Sequence, residues 1–357
     1  MKQGGLRVLL LSDAGSFHTE RFARELRRQG CHVMTASLES GKMRCIQLKR
    51  LGPVKSFHYL LAVPQVKSII KRFRPEVINA HYAAGYGFIA ARAVGETKTP
   101  IALNVWGSDV LIVPNKSTQG RIKVSMALAR ADYVFGDSRY LLTRAEKVCR
   151  LKAQEVIPWG IEREFLSLHR TSYSPGRPLR IITPRKQEEI YNNGFILEAL
   201  RPLVEKGDVE LTFPDFGSCA PAFRSQVGEL SGDGVNLYSK LPRAEFLAYL
   251  AEHDVYLSAS RSDSSPASMI ESMALGLIPV AADVEGVREW LTDESGFVFE
   301  QDNREELRSV IARIIDDGDT LEGMRRSNFR RVNEEAIFEE NVARQVEVMK
   351  ELAGGSS

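Results

Sequence analysis

The sequence predicts an α/β protein of two domains, each a doubly wound, mostly parallel sheet. Three observations predict it. Residues 7–36 read as an apolar strand, a glycine-bearing loop, a helix and a second strand, the opening unit of such a sheet. Residues 258–283 (SASRSDSSPASMIESMALGLIPVAAD) read as strand end, polar loop, helix, tight exit and next strand, far down the chain. With 357 residues, 43% of them hydrophobic, the chain can fill two cores.

In order, residues 7–12 (RVLLLS) form a short apolar run without helical period, as suits a buried parallel strand. The loop 13–18 (DAGSFH) leads into a helix over 19–29 closed by Gly30, and 31–36 is the next strand. The loop lacks the three-glycine dinucleotide fingerprint and gives little ground for a nicotinamide cofactor. From 41 to 75 there is no acid, while Lys42, Arg44, Lys49, Arg50, Lys55, Lys67, Lys71, Arg72 and Arg74 accumulate. Leu60, Leu61, Val63, Val66, Ile69, Ile70 and Phe73 interleave with them at roughly helical spacing. Such a stretch can rest on an anionic membrane surface, or it can be a domain helix with one buried stripe and a solvated basic face. The sequence leaves both open. Residues 76–80 are a strand that delivers His81 and Tyr82 into the loop 81–87 (HYAAGYG), ahead of a helix over 88–94. Ligands of open α/β sheets sit at the carboxyl ends of strands, so His81 is a candidate site residue. The strand 101–105 runs into Trp106-Gly107-Ser108-Asp109, and 131–135 is a further strand.

The turn-rich stretch 172–177 (SYSPGR) predicts a domain boundary, and the strand 179–183 opens the second domain. Strands follow at 209–213 and 254–258, with a helix over 243–252 behind Pro242. Ser264 and Ser265 precede Pro266, a helix-start signal of cap and first helical residue. Ala267, Met269, Ile270, Met273 and Ala274 then make an apolar stripe, which Gly276 ends. Free N–H groups at that helix start, with the positive dipole end, form a pocket for phosphate. Asp263 stands in the loop before it and Glu271 about one turn inside. A loop carboxylate there can hold sugar hydroxyls and the inner one ribose hydroxyls; the same spacing also fits an ordinary capped helix with solvated acids. Helices are expected over 287–291, 305–315 and 334–352, and 354–357 as a tail.

Lys and Arg number 48 against 46 Asp and Glu, a net charge of +2 that argues against a dedicated nucleic-acid binder. Cys31, Cys45, Cys149 and Cys219 are isolated, without metal or disulfide spacing, which fits a reducing cytoplasm. The N-terminal apolar run, Leu6 to Leu11, is too short for a signal-peptide core or a membrane span. A soluble chain made inside the cell is expected.

The stretch Glu271-Ser272-Met273-Ala274-Leu275-Gly276, with Asp263 eight positions earlier, resembles the nucleotide-sugar signature of retaining glycosyltransferases of the GT-B fold, especially glycosyltransferase family 4. Asp263 stands where that family usually has Glu, followed by Ser-Ser-Pro, and some relatives show a similar Asp-Ser-x-Pro form. The resemblance runs along nearly the whole chain. It implies two Rossmann-like domains facing a cleft: 1–165 for the acceptor, 166–335 for the nucleotide-sugar donor, and 336–357 as a helix crossing back to the first. On this likeness Arg185 grips the donor diphosphate, Asp263 the sugar and Glu271 the ribose, with His81 as a further catalytic candidate. Gly15, Ser16, Asn192, Lys240, Leu241, Ser264, Ser265, Pro266, Ala267, Ser268 and Met269 are implied donor contacts. His18, Trp106 and Asp109 are implied acceptor or sugar contacts, Trp106 replacing the family's usual His.

The family's Lys after that Arg is missing: Asn193-Gly194 occupies its place, and Tyr191-Asn192 resembles a sub-branch carrying Tyr-Asn there. Residues 156–162 (VIPWGIE) resemble the hinge motif, departing from it at Trp159 and Glu162, and Glu289 stands in the family's Gly-x-x-Glu segment. The implied reaction moves a sugar from a UDP- or GDP-type donor to a hydroxyl acceptor drawn from saccharides, lipid-linked precursors or small molecules. The donor is substrate; no cofactor and no metal is expected, and Asp317-Gly318-Asp319 is read as a surface loop. Two other readings stay open: a nucleotide-sugar-binding protein without transferase activity, and a sugar-nucleotide epimerase on the same fold.

Overall fold

The computed structural model describes residues 5–50, 55–95, 97–171, 177–229, 234–316 and 320–355. They form two units, Met1–Pro158 with Glu339–Ser357, and Trp159–Phe338. The first unit therefore ends at Pro158, ahead of the expected 165, and it includes the chain's last helix from Glu339 on. The expected boundary stretch 172–176 and the acidic pair at 317–319 lie outside the described residues.

The first unit runs β1 (Arg7–Leu11), α1 (Phe17–Arg28), β2 (His32–Ser37), β3 (Ile46–Gln47), α2 (Lys55–Phe73), β4 (Val77–His81), a π-helical turn (Tyr82–Gly87), α3 (Phe88–Val94), β5 (Ile101–Asn104), α4 (Ser108–Leu111), α5 (Val113–Lys116), α6 (Thr118–Arg130), β6 (Tyr133–Gly136), α7 (Arg139–Glu146) and β7 (Gln154–Val156). Its seven strands lie in the order β3-β2-β1-β4-β5-β6-β7, every pair parallel. The second unit runs β8 (Leu179–Ile182), α8 (Asn193–Glu205), β9 (Val209–Pro214), α9 (Ala220–Gly228), β10 (Val235–Tyr238), α10 (Arg243–Ala251), β11 (Val255–Ser258), α11 (Ala267–Leu275), β12 (Ile278–Ala282), β13 (Phe297–Phe299), α12 (Arg304–Asp316) and α13 (Thr320–Glu335), before α14 (Phe338–Gly354). Its six parallel strands take the order β10-β9-β8-β11-β12-β13.

The apolar runs are explained by burial on both faces: β4, β5, β11 and β12 have no residue outside the core. Crossovers that return to the middle of a sheet leave one switch point per unit, between β1 and β4 and between β8 and β11. In the second unit the segments around 161 and 337 pair, Ile161 N–H donating to Ala336 O and Phe338 N–H to Ile161 O.

Several elements depart from expectation. Residues 82–87 are wound as a π-helical turn, with Tyr82 at φ 72°. Gly87 allows it to pack: a Cβ there would lie 2.8 Å from Leu103 Cδ1 and 3.2 Å from Ala127 Cβ. Over the expected helix 287–291 there is instead a run of turns spanning 285–290, closed by bonds such as Trp290 N–H to Val287 O. Helix α13 occupies a stretch for which no element was expected, and α14 begins at Phe338 instead of 334. Helix α11 starts at Ala267 with Pro266 as its N-cap and no side-chain cap bond, so the expected serine cap does not form. Gly276 does end it, at φ 90° in the left-handed region.

Candidate active site

In the second unit the loops after β8 and β11 leave the sheet on either side of its switch point, and each carries one of the expected residues. Arg185 and Asp263 form an ion pair there, with side chains only 15% and 14% exposed. The Arg185 guanidinium lies 4.7 Å over the Tyr191 ring, a cation–π contact that fixes its plane. Asn193, in the place of the family Lys, is buried; its Nδ2 donates to Arg185 O at 2.8 Å and Gln187 Oε1 at 3.0 Å. It anchors the backbone that presents Arg185. Lys186 is not a substitute, since it is half-exposed and pairs with Glu188 at 3.4 Å.

Helix α11 follows the Asp263 loop, whose Oδ1 accepts from Ser264 N–H at 3.2 Å. Ser264 and Ser265 are buried, and among the described residues Ser265 Oγ has no hydrogen-bond partner. Ala267 and Ser268 are half-buried at the helix start. Met269 is not a donor contact: its side chain is wholly buried in the core and its N–H already donates to Pro266 O at 2.9 Å. Glu271, buried, pairs with Arg243 Nη1 at 2.7 Å, and Arg243 Nη2 donates to Glu162 Oε2 at 2.7 Å. Burial works against the Arg243 charge, but Glu271 and Glu162 more than offset it and hold its pKa above the ordinary value. Lys240 is exposed, Leu241 packs against the core, and Asn192 donates to Asp302 Oδ1 at 3.0 Å.

In the first unit the carboxyl ends of β1, β4 and β5 open into a cavity of about 290 Å³, lined by Ser12, Asp13, Ser16, Glu39, Tyr59, His81, Tyr82, Gly85, Tyr86 and Trp106. His81, Ser16 and Trp106 are thus brought together. His18 stands behind Trp106, ring to ring at 5.8 Å, and Gly15 is exposed on the same loop. His81 Nδ1 meets Ser12 Oγ at 3.1 Å, and burial lowers its pKa to about 3, leaving the ring neutral. Tyr86 Oη donates to Glu39 and accepts from Leu38 N–H, and burial pushes the Tyr59 pKa up to about 12. Asp109 does not face the cavity. It is fully buried, accepting from Ala83 N–H at 2.7 Å and Trp106 N–H at 3.0 Å, and burial raises its pKa to about 6. It ties the loop 106–109 to the π-helical turn, so the expected sugar or acceptor contact is corrected to a structural one.

Sequence reasoning missed Arg243, Asn193, Tyr191, Tyr59 and Glu39 as site residues. Arg243 left one signal, a cation directly after Pro242 at a helix start, where the helix dipole disfavours it, and Tyr191 and Asn193 stood out only by their place in the family pattern.

Two parallel six- and seven-stranded sheets with a switch point each, and charged side chains gathered at those points, define a two-domain protein of the GT-B type. The comparisons carry this to a family. Residues 7–138 match the family described as glycosyl transferase 4-like, and residues 197–331 match glycosyl transferases group 1. An uncharacterized glycosyltransferase of Methanocaldococcus jannaschii is 22% identical over 307 residues, 84% of each chain. Sucrose-phosphate synthase of Thermosynechococcus elongatus superposes with a TM-score of 0.82 at 15% identity, covering 98% of this chain and 100% of the other. Anabaena HepE in complex with UDP gives 0.79 at 15% identity, over 97% and 100%. The chain belongs to the glycosyltransferases of the GT-B fold and resembles family 4.

Proposed function

We propose that the protein transfers a sugar from a nucleoside diphosphate donor, of UDP or GDP type, to a hydroxyl acceptor with retention of anomeric configuration. The observation that carries this reading is the pairing of Arg185 with Asp263 beside the start of α11, with Glu271 one turn in. HepE, on the same fold, is known in complexes with UDP and with UDP-glucose. The donor's diphosphate would draw Arg185 from Asp263, and the free N–H groups at the α11 start would meet its remaining charge. Asp263, released, would accept from the sugar hydroxyls, and Glu271 from the ribose. The acceptor oxygen would bond to the anomeric carbon on the face from which the phosphate leaves, and the departing phosphate oxygen would take the acceptor's proton. No protein nucleophile and no metal is required by that scheme.

The first unit's cavity supports a saccharide acceptor. Its lining carries Asp13 and Glu39, four aromatic side chains and a neutral His81, and no Lys or Arg among the lining residues. Such a lining favours an uncharged or cationic sugar ring over a phosphate or uronate. The acceptor is proposed to be a saccharide, lipid-linked or free, met by a cytoplasmic protein that can rest on an anionic membrane face. A donor-binding role without catalysis is the second reading, favoured by Asn193 in the place of the family Lys.

Calorimetric titration with UDP, GDP, ADP and TDP tests the donor reading. One nucleotide should bind selectively, and Glu271→Ala should weaken it by about tenfold or more, as the loss of a hydrogen bond to a charged group implies. Full affinity and turnover in that variant would sink the assignment. Product formation with any acceptor separates the transferase from the second reading.

A further inference from the structure

We infer that Arg243 is a positioning residue for the nucleoside: it aims Glu271 at the ribose hydroxyls and is itself fixed by Glu162. The inference rests on the donor reading above and goes beyond it in naming what holds the ribose carboxylate in place.

Three stretches far apart in sequence converge on this cluster. Arg243 is the first residue of α10, Glu271 lies within α11, and Glu162 precedes the 3₁₀ turn Arg163–Leu168. The side chains are 17% exposed for Arg243, 7% for Glu162 and 5% for Glu271. The planar guanidinium gives one nitrogen to each acid, Nη2 to Glu162 Oε2 and Nη1 to Glu271 Oε1, both at 2.7 Å. Its central carbon stands 5.9 Å from the Phe165 ring centroid.

Stability alone does not account for the arrangement. A cation at a helix N-terminus opposes the dipole. A buried ion cluster is commonly no more stabilising than apolar packing of the same volume. Two carboxylates on one arginine also leave the cluster with an excess negative charge. Such a cluster does serve a carboxylate that must be correctly turned to accept hydroxyl hydrogens. Arginine suits the task because its fork fixes direction as well as charge, which an ammonium does not. With Oε1 of Glu271 held by Arg243, Oε2 would be the oxygen left to accept from the ribose.

The test compares the nucleoside diphosphate that the protein binds with its 2′-deoxy and 3′-deoxy counterparts, by calorimetry, on the full chain. The wild type should prefer the ribonucleotide by about tenfold, the usual scale for a hydroxyl donating to a charged acceptor. Glu271→Ala should abolish that preference. Arg243→Gln should cut it to under about threefold while affinity for the deoxy nucleotide stays nearly constant; Arg243→Lys should restore part of it. A merely structural arginine would instead weaken both nucleotides alike, and that result, or an intact preference in Arg243→Gln, overturns the inference. Should Arg243→Gln fail to fold, Glu162→Gln gives the second measurement: a reduced preference supports the inference and an unchanged one overturns it. A wild type that binds deoxy and ribo forms equally overturns the inference while leaving the donor reading standing. A wild type that binds no nucleoside diphosphate removes the donor reading, and this inference with it.

Discussion

Arg185 and Asp263 pair at the switch point of the second unit, so on the proposed donor reading a diphosphate would compete with Asp263 for the same guanidinium. Replacing Arg185 by Ala should therefore weaken nucleoside diphosphate binding by about 10- to 100-fold, the range of a lost bidentate charge-assisted contact, and leave the free nucleoside nearly unaffected. Equal loss for both ligands, measured by calorimetry, would mean that Arg185 only supports the fold. Asp263 and Glu271 could be singled out as candidates in the sequence because a motif fixes their spacing, and Arg185 because it follows a predicted strand. The contacts of Arg243 and Asn193 were not legible there, since each is made to a partner brought near only by the fold, Glu271 in one case and the Arg185 carbonyl in the other. Asp109 was read as a ligand contact because its neighbours matched a motif; burial, invisible in sequence, turns it inward.

His81 gives a pH dependence with a definite sign. Its folded pKa, lowered to about 3, lies below the unfolded value, so the unfolded state takes up the proton first. The stability it allows is complete above about pH 6.5 and is lost as pH falls toward the folded value. Between pH 7 and pH 5 that amounts to about 2 kcal/mol at most. Buried His253, lowered to about 4, acts in the same direction, whereas Asp109, raised to about 6, favours the folded state as pH falls from 6 toward its unfolded value. Unfolding midpoints at pH 7 and pH 5 should fall further apart in the wild type than in His81→Gln. Equal pH differences in the two proteins would show that His81 is not held neutral.

Helix α11 is tied at its end as firmly as at its start. Gly276 sits at φ 90°, and a Cβ there would meet Arg325 Nη2 at 2.6 Å. Arg325 is itself buried, donating to the carbonyls of Gly276 and Arg170 and pairing with Glu322 at 2.9 Å. Gly276→Ala should cost about 1–3 kcal/mol through left-handed strain and the displaced arginine. A denaturant midpoint unchanged by that substitution would contradict the packing described. The same arginine explains why α13 escaped the sequence reading. The buried positions Leu321, Arg325, Asn328 and Val332 recur at helical spacing, but two of the four are polar, so the stripe is not an apolar one. Strands were easier, because runs such as residues 278–282 are buried on both faces and need no partner's side chain to be recognised.

Two domains and their parallel order followed from length and from repeated strand–loop–helix grammar; the turn-rich stretch 172–177 was read as the boundary, whereas the units part at Pro158 and Trp159, inside the stretch 156–162 that resembles a hinge motif. The net charge of +2 hides how charge is distributed. Helix α2 turns Ala62, Val66 and Ile70 into the core of the first unit, while Lys67, Lys71 and Arg72 remain exposed beside Leu60 at 45% and Leu61 at 38% exposure. The domain-helix reading of this stretch is thereby met, yet a basic surface with two apolar side chains is left in water. Among the described residues no helix is long and apolar enough to cross a membrane; the proposed contact with an anionic bilayer is placed on this basic surface. With so small a net charge, attraction to anionic lipid must come from this local cluster, at about 1 kcal/mol for each basic side chain near the headgroups, and it must decay with salt. The protein should sediment with anionic vesicles at low salt, be released at high salt, and ignore neutral vesicles; Leu60→Gln with Leu61→Gln should weaken the low-salt binding without altering nucleotide affinity. If it stays in the supernatant with anionic vesicles at low salt, the membrane reading fails.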